Sequence, residues 1–302
     1  MDRAMEPDQL RYLADELENF KEIAKSLKPA AGEIPELDGV DISGVSMPLN
    51  GAIGGDHVIY LDFKKRYDLD ALIARAIVLG RKDVAAQLLS NYHRAGIVLA
   101  DVAGHRITDA LVAAMLHQAF LLGSYYELEM FGQITTKLFK HIKTRFHEST
   151  NIKKLIAMIY GEITDQGRFR YISAGHPPPI VFSREYGRIM PLGADRTVSE
   201  TLIGMFPAAA GRREAGPLEQ TSEFDEPIVN EISLASRGDI LLLATDGLTE
   251  HGDGFFVAEE LGPCLNRARD WSAADIGASL REAVLAFGPQ SDDITFVVIK
   301  KL

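Results

Sequence analysis

At 302 residues the chain can bury a sizeable core in one large domain or two small ones, and its 46% hydrophobic and 25% charged residues are ordinary for a globular protein. Acidic residues outnumber basic ones 43 to 32, and the formal net charge of −11 argues against nucleic acid as a main partner, which would call for clustered Lys and Arg. The single cysteine, Cys264, excludes an intrachain disulfide and a Cys-based metal cluster, no stretch approaches the roughly eighteen apolar residues of a membrane helix, and the N-terminus lacks a basic-then-apolar leader pattern, so the expectation is a cytoplasmic protein without a membrane partner.

Residues 9–28 predict a helix, with Leu10, Leu13, Leu17, Phe20, Ala24 and Leu27 alternating spacings of three and four. This heptad seam runs for under three heptads, so a helix packed on its own domain and a homodimer contact stand level. Pro29 closes it, which sets residues 1–30 apart from residues 31–302 as a regulatory or dimerising segment. Short strands are predicted at 40–47 and 58–63, followed by helical composition over 68–92. Ile97-Val98-Leu99-Ala100 is an apolar run ending on Asp101, the pattern of a buried strand whose end delivers a carboxylate. Helices are predicted at 109–122, with Thr108 or Asp109 as N-cap, and at 127–146. Strands then dominate, at 155–163, 168–173, 179–182 and 188–192. The stretch 197–227, rich in Gly, Pro and Glu, reads as a loop. Strands at 228–234 and 240–245, helices at 257–268 and 274–287 and a last strand at 294–300 complete the pattern. Strands in runs, with helices grouped apart, predict an α+β sandwich instead of a doubly wound parallel sheet.

Four places put an acidic residue at a strand end or tight turn: Gly54-Gly55-Asp56, Asp101-Val102-Ala103-Gly104-His105, Thr245-Asp246-Gly247 and Asp292-Asp293-Ile294-Thr295. Any one of them is more often a turn or a helix cap than a ligand. As a set they supply what a pair of hard divalent cations needs, namely carboxylate and carbonyl oxygens converging from different strands. Two such ions about 3.5–4 Å apart can activate a water for in-line attack on phosphorus.

The ordered set Gly54-Gly55-Asp56, Asp101 to His105, Ser173-Ala174-Gly175-His176-Pro177-Pro178-Pro179, residues 238–250 and Asp292 to Thr295 resembles the SpoIIE/RsbU branch of the PPM phosphatases, the bacterial protein phosphatase 2C-like enzymes. The resemblance runs from about residue 35 to the C-terminus, and 238–250 is its most specific piece. It implies a four-layer αββα sandwich, two central antiparallel sheets flanked by helices. It also implies a Mn²⁺- or Mg²⁺-dependent phosphatase acting on phosphoserine or phosphothreonine. Asp101 would bridge both ions, the Val102 carbonyl and Asp56 would hold the second, and Asp246 and Asp292 would complete the first. Asp293 is expected to support the site, and His176 and Glu250 to be structural. His105 could orient a water or simply pack its loop.

The branch implies a phosphorylated anti-sigma-factor antagonist as substrate, in a stress-signalling, partner-switching pathway under an upstream regulator. Two features depart from the family: Arg106 stands where a glycine is usual, and the stretch between Asp56 and Asp101 is expanded by a helical insertion at about 68–92. Arg106 could fork onto substrate phosphate or disturb the loop. A pseudophosphatase scaffold of the same fold and a hydrolase of small phosphoesters are the rival readings.

Overall fold

Successive side chains point to opposite faces of a strand, which decides the layer in which each is buried. The computed structural model describes residues 7–25, 33–50, 54–104, 107–148, 154–205 and 226–302, and the described residues form two five-stranded sheets in which every pairing is antiparallel. The first sheet is ordered β1 (Val40–Met47), β10 (Ile294–Lys301), β9 (Ile240–Ala244), β6 (Ile180–Ser183), β7 (Arg188–Met190). The second runs β2 (His57–Asp62), β3 (Arg94–Val102), β4 (Ile156–Thr164), β5 (Arg168–Ala174), β8 (Asn230–Ser233). Between the sheets lie Ile42, Leu241, Leu243, Val297 and Ile299 from the first and Val58, Tyr60, Ile97, Leu99 and Ile159 from the second. The intervening residues of the same strands face outward onto helices, which is the period-two pattern of two-sided burial.

Helices cover both outer faces. On the second sheet sit α3 (Leu69–Val78), α4 (Lys82–Ser90), α5 (Ile107–Phe131) and α6 (Thr136–Glu148), packed on Ile59, Val98, Met158 and Ile172, while α1 (Pro7–Lys25) contacts α5 and the single turn α2 (Phe63–Arg66) follows β2 directly. On the first sheet, the short α7 (Asp246–Thr249) follows β9, and α8 (Gly262–Ala268) and α9 (Ala273–Phe287) pack on Phe182, Leu242, Phe296 and Val298. The result is the four-layer αββα sandwich that the resemblance implies.

The stretch 68–92 forms α3 and α4, with Asp68 capping α3 by accepting from the Ala71 amide at 3.0 Å. The helices expected at 109–122 and 127–146 break elsewhere: α5 runs unbroken through Gly123, and the turn falls at 132–135. Gly123 is a point of close packing, because a Cβ there would stand 2.3 Å from a methyl of Leu138 on α6. The true break is Gly132, at φ +74°, where a Cβ would meet the Val84 carbonyl at 2.4 Å. In the expected loop at 197–227, Ile203 makes a two-way backbone bridge to Ile156 at 3.0 Å, and residues 206–225 lie outside the described residues.

Candidate metal centre

Strand register brings two carboxylates to one end of the second sheet. His57 pairs with Ala100, so Asp56, one step before β2, comes level with Asp101 near the end of β3. In the first sheet Phe296 pairs with Ala244, so Asp246 and the Asp292–Asp293 pair leave β9 and enter β10 side by side. The two sheet ends are tied together by Thr245, whose hydroxyl donates to Asp56 Oδ2 at 2.8 Å and whose amide donates to the Thr295 carbonyl at 2.9 Å.

The electrostatics locate one common centre. Burial first, then the negative charges of Asp246, Asp292 and Asp293 and a hydrogen bond to Asp246, together push the Asp101 carboxyl up to about 7. Asp56 is only 9% exposed; burial first, then the charge of Asp101, raises it, while hydrogen bonds from Thr245 and Thr295 act in the opposite direction. Among the described residues no three ligating side chains are already drawn tightly enough to hold an ion. The donor set nevertheless fits hard divalent cations, because its oxygens are all carboxylate or carbonyl and the carboxylates repel one another without a cation among them.

Backbone approach completes the site. A Cβ on Gly55 would stand 2.5 Å from the Val102 carbonyl oxygen and 2.8 Å from that of Gly104, and the Gly55 carbonyl accepts from the Val102 amide at 3.3 Å. Only glycine lets the Asp56 loop lie this close to the Val102 carbonyl. Asp293 is buried and accepts from the Leu49 and Gly55 amides, both at 2.7 Å, which makes its carboxylate an anchor for the loop carrying Asp56. His105 and Arg106 lie outside the described residues.

Sequence reading missed three contributors. Thr245 and Thr295 sit inside the motifs, but their hydroxyls show their role only when the sheets meet. Lys154 has no motif around it. Its ammonium reaches the buried Asp109 carboxylate at 2.8 Å and the Ala103 carbonyl at 2.9 Å, pinning the turn after Asp101 to the start of α5. His176 is a buried neutral imidazole. Its Nδ1 lies 2.9 Å from the Pro177 carbonyl, Ser173 Oγ donates to its backbone carbonyl at 3.2 Å, and burial lowers its pKa to about 4.

A family model described as Stage II sporulation protein E (SpoIIE) matches residues 91–301. Among curated relatives, the chain is similar to the phosphoserine phosphatase RsbU of Bacillus subtilis (strain 168), at 21% identity over 98% of this chain and 74% of RsbU. It is similar to the phosphoserine phosphatase RsbP of the same organism at 33% identity over 89 residues, which are 29% of this chain and 22% of RsbP. The chain thus spans about a fifth of RsbP and three quarters of RsbU. Among solved structures, the SiaA-PP2C domain of Pseudomonas aeruginosa superposes with a TM-score of 0.61 at 16% identity, over 98% of this chain and 99% of that one.

Proposed function

Because the chain belongs to the SpoIIE family of protein phosphatase 2C-like proteins, we propose that it is a metal-dependent phosphatase that hydrolyses phosphoserine or phosphothreonine on a signalling protein. The observation that carries this reading is the approach of Asp56 and Asp101 at the end of the second sheet to Asp246 and Asp292 at the end of the first, where burial and the charges of Asp246, Asp292 and Asp293 raise the Asp101 carboxyl. In this reading Asp101 would be shared between two Mn²⁺ or Mg²⁺ ions, Asp246 and Asp292 would help to hold one, and Asp56 and the Val102 carbonyl would help to hold the other. When bound, such ions supply a polarised water and neutralise phosphoryl oxygens.

The chain's own residues do the positioning. Thr245 fixes Asp56, Asp293 fixes the Gly54-Gly55 turn, and Lys154 with Asp109 fixes the turn following Asp101. Holding the ligand-bearing turns in place limits the reorganisation that mobile carboxylates would need during turnover. The phosphoserine phosphatases RsbU and RsbP are the support for a partner-switching substrate, such as a phosphorylated anti-sigma-factor antagonist. Among the described residues no helix is long and apolar enough to cross a membrane, and the single buried cysteine suits a reducing compartment, so the cytoplasm is the proposed location. Manganese-dependent release of phosphate from a phosphoserine peptide tests the assignment. Absence of turnover at saturating manganese would leave a docking scaffold instead.

The heptad seam of α1 leaves Leu10 and Leu13 about half exposed and Leu17 exposed as well. We read this apolar stripe as a homodimer contact, through which an upstream regulator could act. Removal of residues 1–28 is expected to halve the mass seen by light scattering while phosphatase activity persists. An unchanged mass rules the contact out.

A further inference from the structure

A cavity of about 330 Å³ opens toward the far end of the second sheet from the carboxylates. Strand β3 enters at Arg94, paired with Thr164, and reaches Asp101, paired with Ala157, so these two residues stand about 23 Å apart at ~3.3 Å per residue. In a chain of net charge −11 the lining of this cavity is basic, with Arg94, Arg168 and Arg170 against the single acidic Glu162. Arg94 and Glu162 satisfy each other at 2.9 Å. That leaves Arg168 and Arg170, two residues apart on β5 and both on its exposed outer face.

Neither arginine is spent on a strong partner. Arg170 touches Glu231 only at 3.7 Å, with both side chains about half exposed, a pair worth little in water. Among the described residues Arg168 has no carboxylate within ion-pair distance. Ile134, Ile172 and Val229 give the cavity an apolar wall beside these charges. Helix α6 starts at its edge and adds the positive end of a helix, although the Thr135 amide and hydroxyl already donate to Glu127. Two forked guanidiniums on one strand match adjacent phosphoryl groups, and the volume falls in the range of small-ligand sites.

We propose that this cavity binds a phosphorylated small molecule of nucleotide size, with its phosphates on Arg168 and Arg170 and its apolar body along Ile134, Ile172 and Val229. The site does not depend on the phosphatase reading, because binding can be followed with the carboxylate centre stripped of metal. The test is calorimetric titration of the full chain with ADP in EDTA. The expected result is saturable one-to-one binding, weakened at least tenfold in the Arg168→Gln/Arg170→Gln double variant. Inorganic phosphate should bind at least tenfold more weakly than ADP. Arg188→Gln, an exposed change on the other sheet, should bind ADP as the parent does. Both cavity arginines are exposed, so the double variant should melt within about 2 °C of the parent. The proposal is overturned if the parent shows no saturable binding of ADP, if the double variant binds as tightly as the parent, or if only an acidic peptide binds. It is overturned equally if Asp101→Asn abolishes ADP binding, which would place the ligand at the carboxylates.

Discussion

Asp101→Asn is expected to lower manganese-dependent turnover of a phosphoserine peptide by about 10³-fold or more while leaving the fold intact. The amide has the size and shape of the carboxylate but loses the charge that two cations would share. Asp101 lies closest to the electrostatic centre of the constellation, since Asp246, Asp292 and Asp293 all act on it and it acts in turn on Asp56. Removing one of several mutually repelling carboxylates relieves strain in metal-free protein. The melting temperature in chelator should therefore be no lower than the parent's. Activity and stability are thus expected to separate. Turnover within tenfold of the parent would remove Asp101 from the chemistry, and a large fall in stability would show that its role is structural.

Asp293→Ala should damage the same site by a different route, losing both stability and metal affinity. The Asp293 carboxylate is buried and holds the Leu49 and Gly55 amides at 2.7 Å each. A Cβ on Gly54 would lie 2.3–2.5 Å from that carboxylate, so the turn is folded tightly around it. Truncation leaves two inward-facing amides without their acceptor, and hydrogen bonds to a charged group contribute about 1.5–3 kcal/mol each, so a loss of about 3 kcal/mol is expected. Because Gly55 is followed directly by Asp56, the manganese concentration needed for half-maximal turnover should rise about 10–100-fold, the usual cost of losing a support behind a ligand. Urea unfolding and a manganese titration measure the two effects. A variant that loses stability but keeps its manganese dependence would show that Asp293 serves the fold alone.

What the chain reveals before folding depends on the range of each interaction. The strands at Ile97 to Ala100 and 240–244 were legible because both faces are buried, which demands unbroken apolar runs. The carboxylates were legible because each sits in a short motif, and three of these motifs, around Asp56, Asp101 and Asp246, carry a glycine in the same turn. Contacts between distant segments were not. Thr245 and Asp56 are 189 residues apart, and nothing near Thr245 announces that its hydroxyl will cross from one sheet to the other. Lys154 reaches Asp109 without any local signature. The break between α5 and α6 was misplaced because Gly123 and Gly132 look alike in sequence, yet one is packed under Leu138 and the other turns the chain at positive φ. The four-residue helix α7 was missed for want of length, since one turn carries no periodicity.

Anomalous diffraction from crystals of the full chain grown with manganese addresses the central claim most directly. Two peaks about 3.5–4 Å apart should appear at the end of β3, both contacted by Asp101, with Asp246 and Asp292 on one and Asp56 on the other. Manganese bound elsewhere, or Asp101, Asp246 and Asp292 turned toward separate places, would contradict it.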